Sequence, residues 1–109
     1  MEDAHEYERL LIAGLLQNGP LAYTDIEGKL KPEHFSNPVE HRNIFAEILK
    51  SIDDKDFFDA TTISHRLKNT GVSHITGIPI KEYLESISAV TKVKIKAVPK
   101  YAQKIFELN

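Results

Sequence analysis

The sequence predicts an all-α fold, a small bundle of about five to six helices. Three observations predict it. Apolar residues recur at spacings of three and four along almost the whole chain. The breaks between these stretches carry the Gly, Pro and capping residues that end and start helices. The one run of strict alternation, Val90 to Val98, stands alone, and a single strand in a helical chain has no partner to pair with. At 109 residues, 41% hydrophobic and 28% charged, the chain has room for one domain with a modest core.

The first helix is read in "EDAHEYERLLIAGLLQN". Tyr7, Leu10, Leu11, Gly14 and Leu15 share a face, acids crowd its first turn, Asp3 is placed as N-cap and "NGP" ends it. A shorter helix is expected from about Ala22 to Leu30, with Tyr23, Ile26 and Leu30 as its apolar side. The third runs from about Pro38 to Ile52, with Asn37 as N-cap, Pro38 at the first helical position and Glu40 in a capping-box spacing. His41, Ile44, Phe45, Ile48, Leu49 and Ile52 form its buried stripe.

Asp59 caps a fourth helix that buries Ile63 and Leu67 and stops at Gly71, placed as the C′ glycine. "VSHITGI" reads as a loop. Pro79 opens a fifth helix with Ile80, Tyr83, Leu84, Ile87 and Val90 as its stripe. The alternating "VTKVKIKAV" is an extended connector or a distorted helix start, and "PKYAQKIFEL" is a last helix with Tyr101, Ile105 and Leu108 on one side.

Composition excludes several chemistries. There is no cysteine, hence no disulfide, thiolate zinc site or thiol nucleophile. No apolar run reaches the roughly 20 residues of a membrane span, and a cytoplasmic location and no membrane partner are expected. The sole Gly-Lys pair, Gly28-Lys29, lacks the rest of a phosphate-binding loop: Tyr23 replaces its first glycine and Leu30 its hydroxyl.

"EHFSNPVEHRNIFAEILKSI", Glu33 to Ile52, holds two histidines, an arginine and nearby carboxylates, the ingredients of an acid–base or metal centre. The spacing argues otherwise. His34 and His41 are separated by a Pro-containing break, and His65 and His74 flank a glycine turn, so no pair has zinc-ligand spacing. No catalytic, cofactor or metal residue is assigned. The stretch is read as a fold determinant: Phe35 fills the core, Asn37 and Pro38 start the helix, His41 packs and bonds a loop carbonyl, and Arg42 meets an acidic partner. Phe45 and Asp59 complete the fold-determining set.

Formal net charge is −2, so the chain as a whole does not attract nucleic acid. The charge is uneven, however. Lys81, Lys92, Lys94, Lys96, Lys100 and Lys104 stand against Glu82 and Glu85 in one stretch. Lys92, Lys94, Lys96 and Lys100 are a candidate contact patch for phosphate or an acidic partner, or else a solvated face. No aromatic residue interleaves these four to stack bases.

"EYERLLIAGLL", "LKPEHFSNPVEHRNIFAEILKSI", "FDATTISHRL", "TGIPIKEYLESI" and "YAQKIF", in this order and at these spacings, together resemble the N-terminal domain of DnaB-type replicative helicases of bacteria or phages. Within the second stretch the likeness rests on Leu30-Lys31-Pro32, Phe35, His41-Arg42, Ile44-Phe45, Ala46 and Ile48-Leu49. This chain departs in having Gly77-Ile78 in place of a paired glycine, and a longer, basic connector "TKVKIKAVPK".

The resemblance implies a small orthogonal helical bundle, the DnaB-like head, over residues 1–90. Residues 91–109 are then a connector and the start of the first arm of a helical hairpin, truncated here. It implies a non-catalytic scaffold that pairs with itself to build the collar of a hexameric ring and recruits the C-terminal domain of primase. A helicase loader is a further possible partner. ATP and magnesium belong to the downstream motor of a longer parent, which also holds the DNA. An arm stub exposing Tyr101, Ile105, Phe106 and Leu108 would be an apolar contact surface.

Two alternatives remain at this level. One is a stand-alone viral adaptor or inhibitor that mimics this domain and binds a primase, helicase or loader. The other is a small DNA-binding domain using the basic run from Lys92 to Lys104. The helicase-binding domain of a primase has a similar head, but "LKPEHF" and "HRNIF" fit the helicase side better.

Overall fold

A computed structural model describes residues 4–36 and 38–108. The first helix, α1 (Ala4–Asn18), is the one the others pack around: α6, α5, α2 and α3 all lie against it. Its apolar face, Leu11, Ile12, Ala13 and Leu15, is fully buried, and Glu8 is buried with it. Asp3, expected as its cap, lies outside the described residues. Gly14 sits mid-helix, where glycine costs about 1 kcal/mol relative to alanine. A Cβ there would come within 2.8 Å of Val98 Cγ2 and 2.9 Å of Val93 Cγ1, so glycine is what lets the later chain cross so closely.

Helix α2 (Pro20–Thr24) begins earlier and is shorter than expected. Gly19, at φ 76° and ψ −160°, makes a turn only glycine takes easily, and Pro20 then starts the helix at once. Ile26 and Leu30 are buried from the turns that follow, through bonds such as Ile26 N–H to the Tyr23 carbonyl at 2.9 Å, instead of from a helical stripe. A 3₁₀ turn at Pro32–His34 leads to Phe35, which is fully buried and stacks on Phe45 with ring centres 4.5 Å apart.

Helix α3 (Glu40–Asp53) starts two residues later than the sequence suggests. The N–H groups of His41 and Arg42 donate to the Pro38 and Val39 carbonyls at 3.0 and 2.9 Å, so the chain enters through a tight three-residue turn. Pro38 therefore precedes the helix, and Val39 holds the cap position with no side-chain bond. Asn37 lies outside the described residues. Along α3, His41, Ile44, Phe45 and Ile48 are buried, and Leu49 and Ile52 are partly so.

Helix α4 (Ala60–Lys68) has Asp59 as its cap, the carboxylate accepting the Thr62 N–H at 2.8 Å. At its other end Gly71, at φ 88°, is flanked by Gly71 N–H to the Lys68 carbonyl and Val72 N–H to the Leu67 carbonyl. These are the paired bonds of a Schellman motif with glycine at C′.

The stretch expected as a loop holds a short antiparallel hairpin, β1 (His74–Ile75) and β2 (Ile78–Pro79), with Ile75 opposite Ile78. Thr76 and Gly77 both have positive φ, 48° and 83°, the two-residue turn that matches strand twist. Helix α5 (Ile80–Val90) buries Ile80, Tyr83, Leu84 and Ile87. Val90, expected in that stripe, is 70% exposed. It is the last residue of the helix, and the chain turns extended at Thr91.

The alternating segment becomes a strap across α1. Val93 is buried, Ile95 is half-buried, and Lys92, Lys94 and Lys96 face out. Its backbone is held by side chains of α1 in place of a neighbouring strand. Gln17 donates to the Ser88 and Thr91 carbonyls and accepts the Val93 N–H, while Asn18 donates to the Val93 carbonyl, all at 2.7–2.9 Å. A 3₁₀ turn at Ile95–Ala97 then feeds α6 (Val98–Leu108), whose Val98, Ala102 and Ile105 are buried where it packs on α1. The fold is a small all-α bundle of six α-helices among the described residues, with one two-stranded hairpin.

Candidate functional site

The histidine-rich stretch is split by the fold. His34 accepts the Lys31 N–H through Nδ1 at 2.9 Å and meets the Phe106 ring edge-on at 5.4 Å. His41 points into the core, fully buried, with Nδ1 3.0 Å from Glu8 Oε1 and Nε2 2.6 Å from the Tyr83 hydroxyl. It therefore does not bond a loop carbonyl as expected, because the side chains of α1 and α5 reach it first. The loop is fastened by other groups: Arg42 Nε donates to the Phe35 carbonyl at 3.2 Å, and the Ser36 N–H donates to Glu8 Oε2 at 3.1 Å. Arg42 thus meets a carbonyl in place of the expected acid.

One assignment of protons gives each of these atoms a partner. Burial, with the Glu8 carboxylate adding to it against the opposing Arg9 charge, pushes the Tyr83 phenol up to about 12, so Tyr83 is a donor at neutral pH. Its O–H donates to His41 Nε2, and His41 Nδ1–H donates to Glu8. His5 stacks on the imidazole at 5.6 Å. Such a chain of groups can relay protons when a substrate reaches it. Here Glu8 and His41 are fully shielded, and the bonds tie α1, α3 and α5 together. Glu8 escaped sequence reasoning, although an acid three, four and seven residues before Leu11, Ile12 and Leu15 stands on the apolar face.

A second polar knot, also not foreseen, surrounds Arg66. Its guanidinium reaches Glu47, Asp54 and Asp56 at 3.1–3.3 Å, tying α4 to the end of α3. Among the described residues no group of three or more His, Cys, Asp or Glu could hold a metal. No helix of the described residues is long and apolar enough to cross a membrane.

The surface residues expected to meet partners separate onto the two flanks of α6. Ile105 is not among them, because it is fully buried toward α1. On one flank Phe106, 54% exposed, borders a groove of about 510 Å³ with Ile26, Lys29, Pro99 and Gln103. On the other, half-buried Tyr101 lies 6.2 Å from Tyr7, and the two line a recess of about 530 Å³ with Lys100 and Lys104. Leu108 is 40% exposed at the helix end. Lys92, Lys94, Lys96 and Lys100 are exposed and make no ion pair among the described residues.

In comparisons with known proteins, the family model described as "DnaB-like helicase N terminal domain" matches residues 1–107. No curated protein and no solved structure matches the chain.

Proposed function

Since this chain belongs to the DnaB-like helicase N-terminal domain family, we propose that it is a non-catalytic scaffold of a replicative helicase, assembling with its own kind into a collar and binding the C-terminal domain of primase during DNA replication in the cytoplasm. The observation that carries the reading is the family match over nearly the whole chain. Two features of the structure support it. The polar groups that resemble an active site are sealed in the core, and the α6 flank bearing Phe106 offers an exposed aromatic beside an open groove. Phe106 is the contact residue of this reading; Tyr101 and Leu108 share the other side of α6 and Ile105 lies in the core. Residues 91–109 would act as the connector and the root of the hairpin arm.

The test is light scattering of the chain alone and mixed with the C-terminal primase domain of the same source. Self-association or primase binding that Phe106→Glu abolishes, at an unchanged thermal midpoint, supports the proposal. A chain that stays monomeric at its solubility limit and leaves primase unbound overturns it.

A further inference from the structure

The sequence sets one aromatic, Tyr101, beside Lys100, and the fold adds a second. Tyr101 follows Lys100 on α6, and Tyr7 arrives from α1, far away in sequence, to lie 6.2 Å from it at a tilt of 39°. Their recess, about 530 Å³, is open to solvent and is walled by Pro99, Lys100, Gln103 and Lys104. Lys100 and Lys104 wall the recess one helical turn apart, roughly 6 Å, and Lys96 precedes them in the 3₁₀ turn. Lys92 and Lys94 extend the track along the strap. On α1, Glu6 is held by Arg9 at 2.6 Å.

We propose that this face binds a single strand of nucleic acid, the lysines of the strap and α6 contacting phosphates and the Tyr7–Tyr101 recess taking a base. Three points favour a nucleic acid over an acidic peptide. An aromatic recess beside a line of ammonium groups matches alternating base and phosphate, and stacking on tyrosine tolerates any base. Gln103 adds an amide at the recess wall for a base edge. The lysines are also displayed in a fixed register, because Gln17 and Asn18 clamp the strap backbone while Val93 turns inward. The recess shares Pro99 and Gln103 with the Phe106 groove, but Tyr7 and Tyr101 line only the recess, so substitutions at Tyr101 separate nucleic-acid binding from primase binding.

The test is fluorescence anisotropy of the whole chain with a labelled thymidine oligonucleotide, an abasic oligonucleotide of equal length and a polyglutamate peptide, at several salt concentrations. The thymidine strand should bind about 10-fold more tightly than the abasic one. Lys94→Gln and Lys100→Gln should each lower the salt slope by about 0.7. Tyr101→Leu, which keeps apolar volume, should reduce thymidine binding to the abasic level and leave abasic binding alone; Tyr101→Phe should bind as the parent does. Thermal midpoints of all four variants separate lost binding from lost folding. No binding at low salt, equal binding of thymidine and abasic strands, or preference for polyglutamate each overturns the proposal, the last pointing to an acidic protein segment.

Discussion

Replacing His41 with alanine removes the joint between three helices, and the structure sets the size of the effect. Glu8 loses the Nδ1–H at 3.0 Å and keeps the Ser36 N–H at 3.1 Å; the Tyr83 hydroxyl loses its acceptor at 2.6 Å. Each buried group stripped of a partner costs about 1–3 kcal/mol, and more when charged. The missing ring adds a cavity, which water can partly fill, so the terms do not sum fully. A net loss of about 3–5 kcal/mol is expected, a large part of the roughly 5–15 kcal/mol that holds a domain together. The thermal midpoint should fall by roughly 15–30 °C. A double-mutant cycle in urea checks the cause. Tyr83→Phe should destabilise the parent but be nearly neutral in the His41→Ala background, giving a coupling of at least about 1 kcal/mol. A single mutant within about 1 kcal/mol of the parent, or strict additivity, would refute the reasoning.

Gly14→Ala should destabilise by about 1–2 kcal/mol, since crowding against two stiff valines outweighs the gain in helix propensity; shortening Val93 to alanine in the same chain should recover part of that loss, whereas a stabilised Gly14→Ala would mean the strap does not cross α1 there. Alkaline titration gives another check. Tyr83 holds its proton to about pH 12 in the fold, whereas an unfolded tyrosine loses it near 10. Its contribution is whole below about pH 10 and is lost as pH rises to about 12. Tyr23, also raised by burial and by Glu27, acts in the same direction. Denaturant midpoints measured across this range should fall less steeply in Tyr83→Phe, and an unchanged slope would count against the buried phenol.

Residues that speak through local chemistry were legible in the sequence. Asp59 and Gly71 state the ends of α4 by capping and by left-handed backbone, and the three-and-four spacing places Leu11, Ile44 and Ile63 in the core. What depended on distant chain was not. Nothing within a few residues of His41 announces Glu8 or Tyr83, which lie 33 and 42 positions away, so a loop carbonyl was the available guess. The alternation in "VTKVKIKAV" is real, but its partners are the amides of Gln17 and Asn18, a pairing no strand pattern encodes. The resemblance makes α6 an arm stub with Ile105 exposed, whereas the structure lays α6 on α1 and buries it, a pairing of distant helices that no local pattern encodes. Thr76-Gly77 is a weaker hairpin signal than Asn-Gly, and the short strands were missed.

The packing of α1 on α6 has a consequence for synthesis. The helix at the centre of the core, α1, emerges from the ribosome before α6, which covers one side of it. At about 5–20 residues per second, the face of α1 that receives Val98, Ala102 and Ile105 waits roughly 5–20 s for its cover. During that interval Gly14, which Val93 and Val98 later cover, is an open notch. The nascent chain therefore carries an adhesive stripe until α6 has been made. Ribosome-associated chaperones should engage it until the strap has closed over α1.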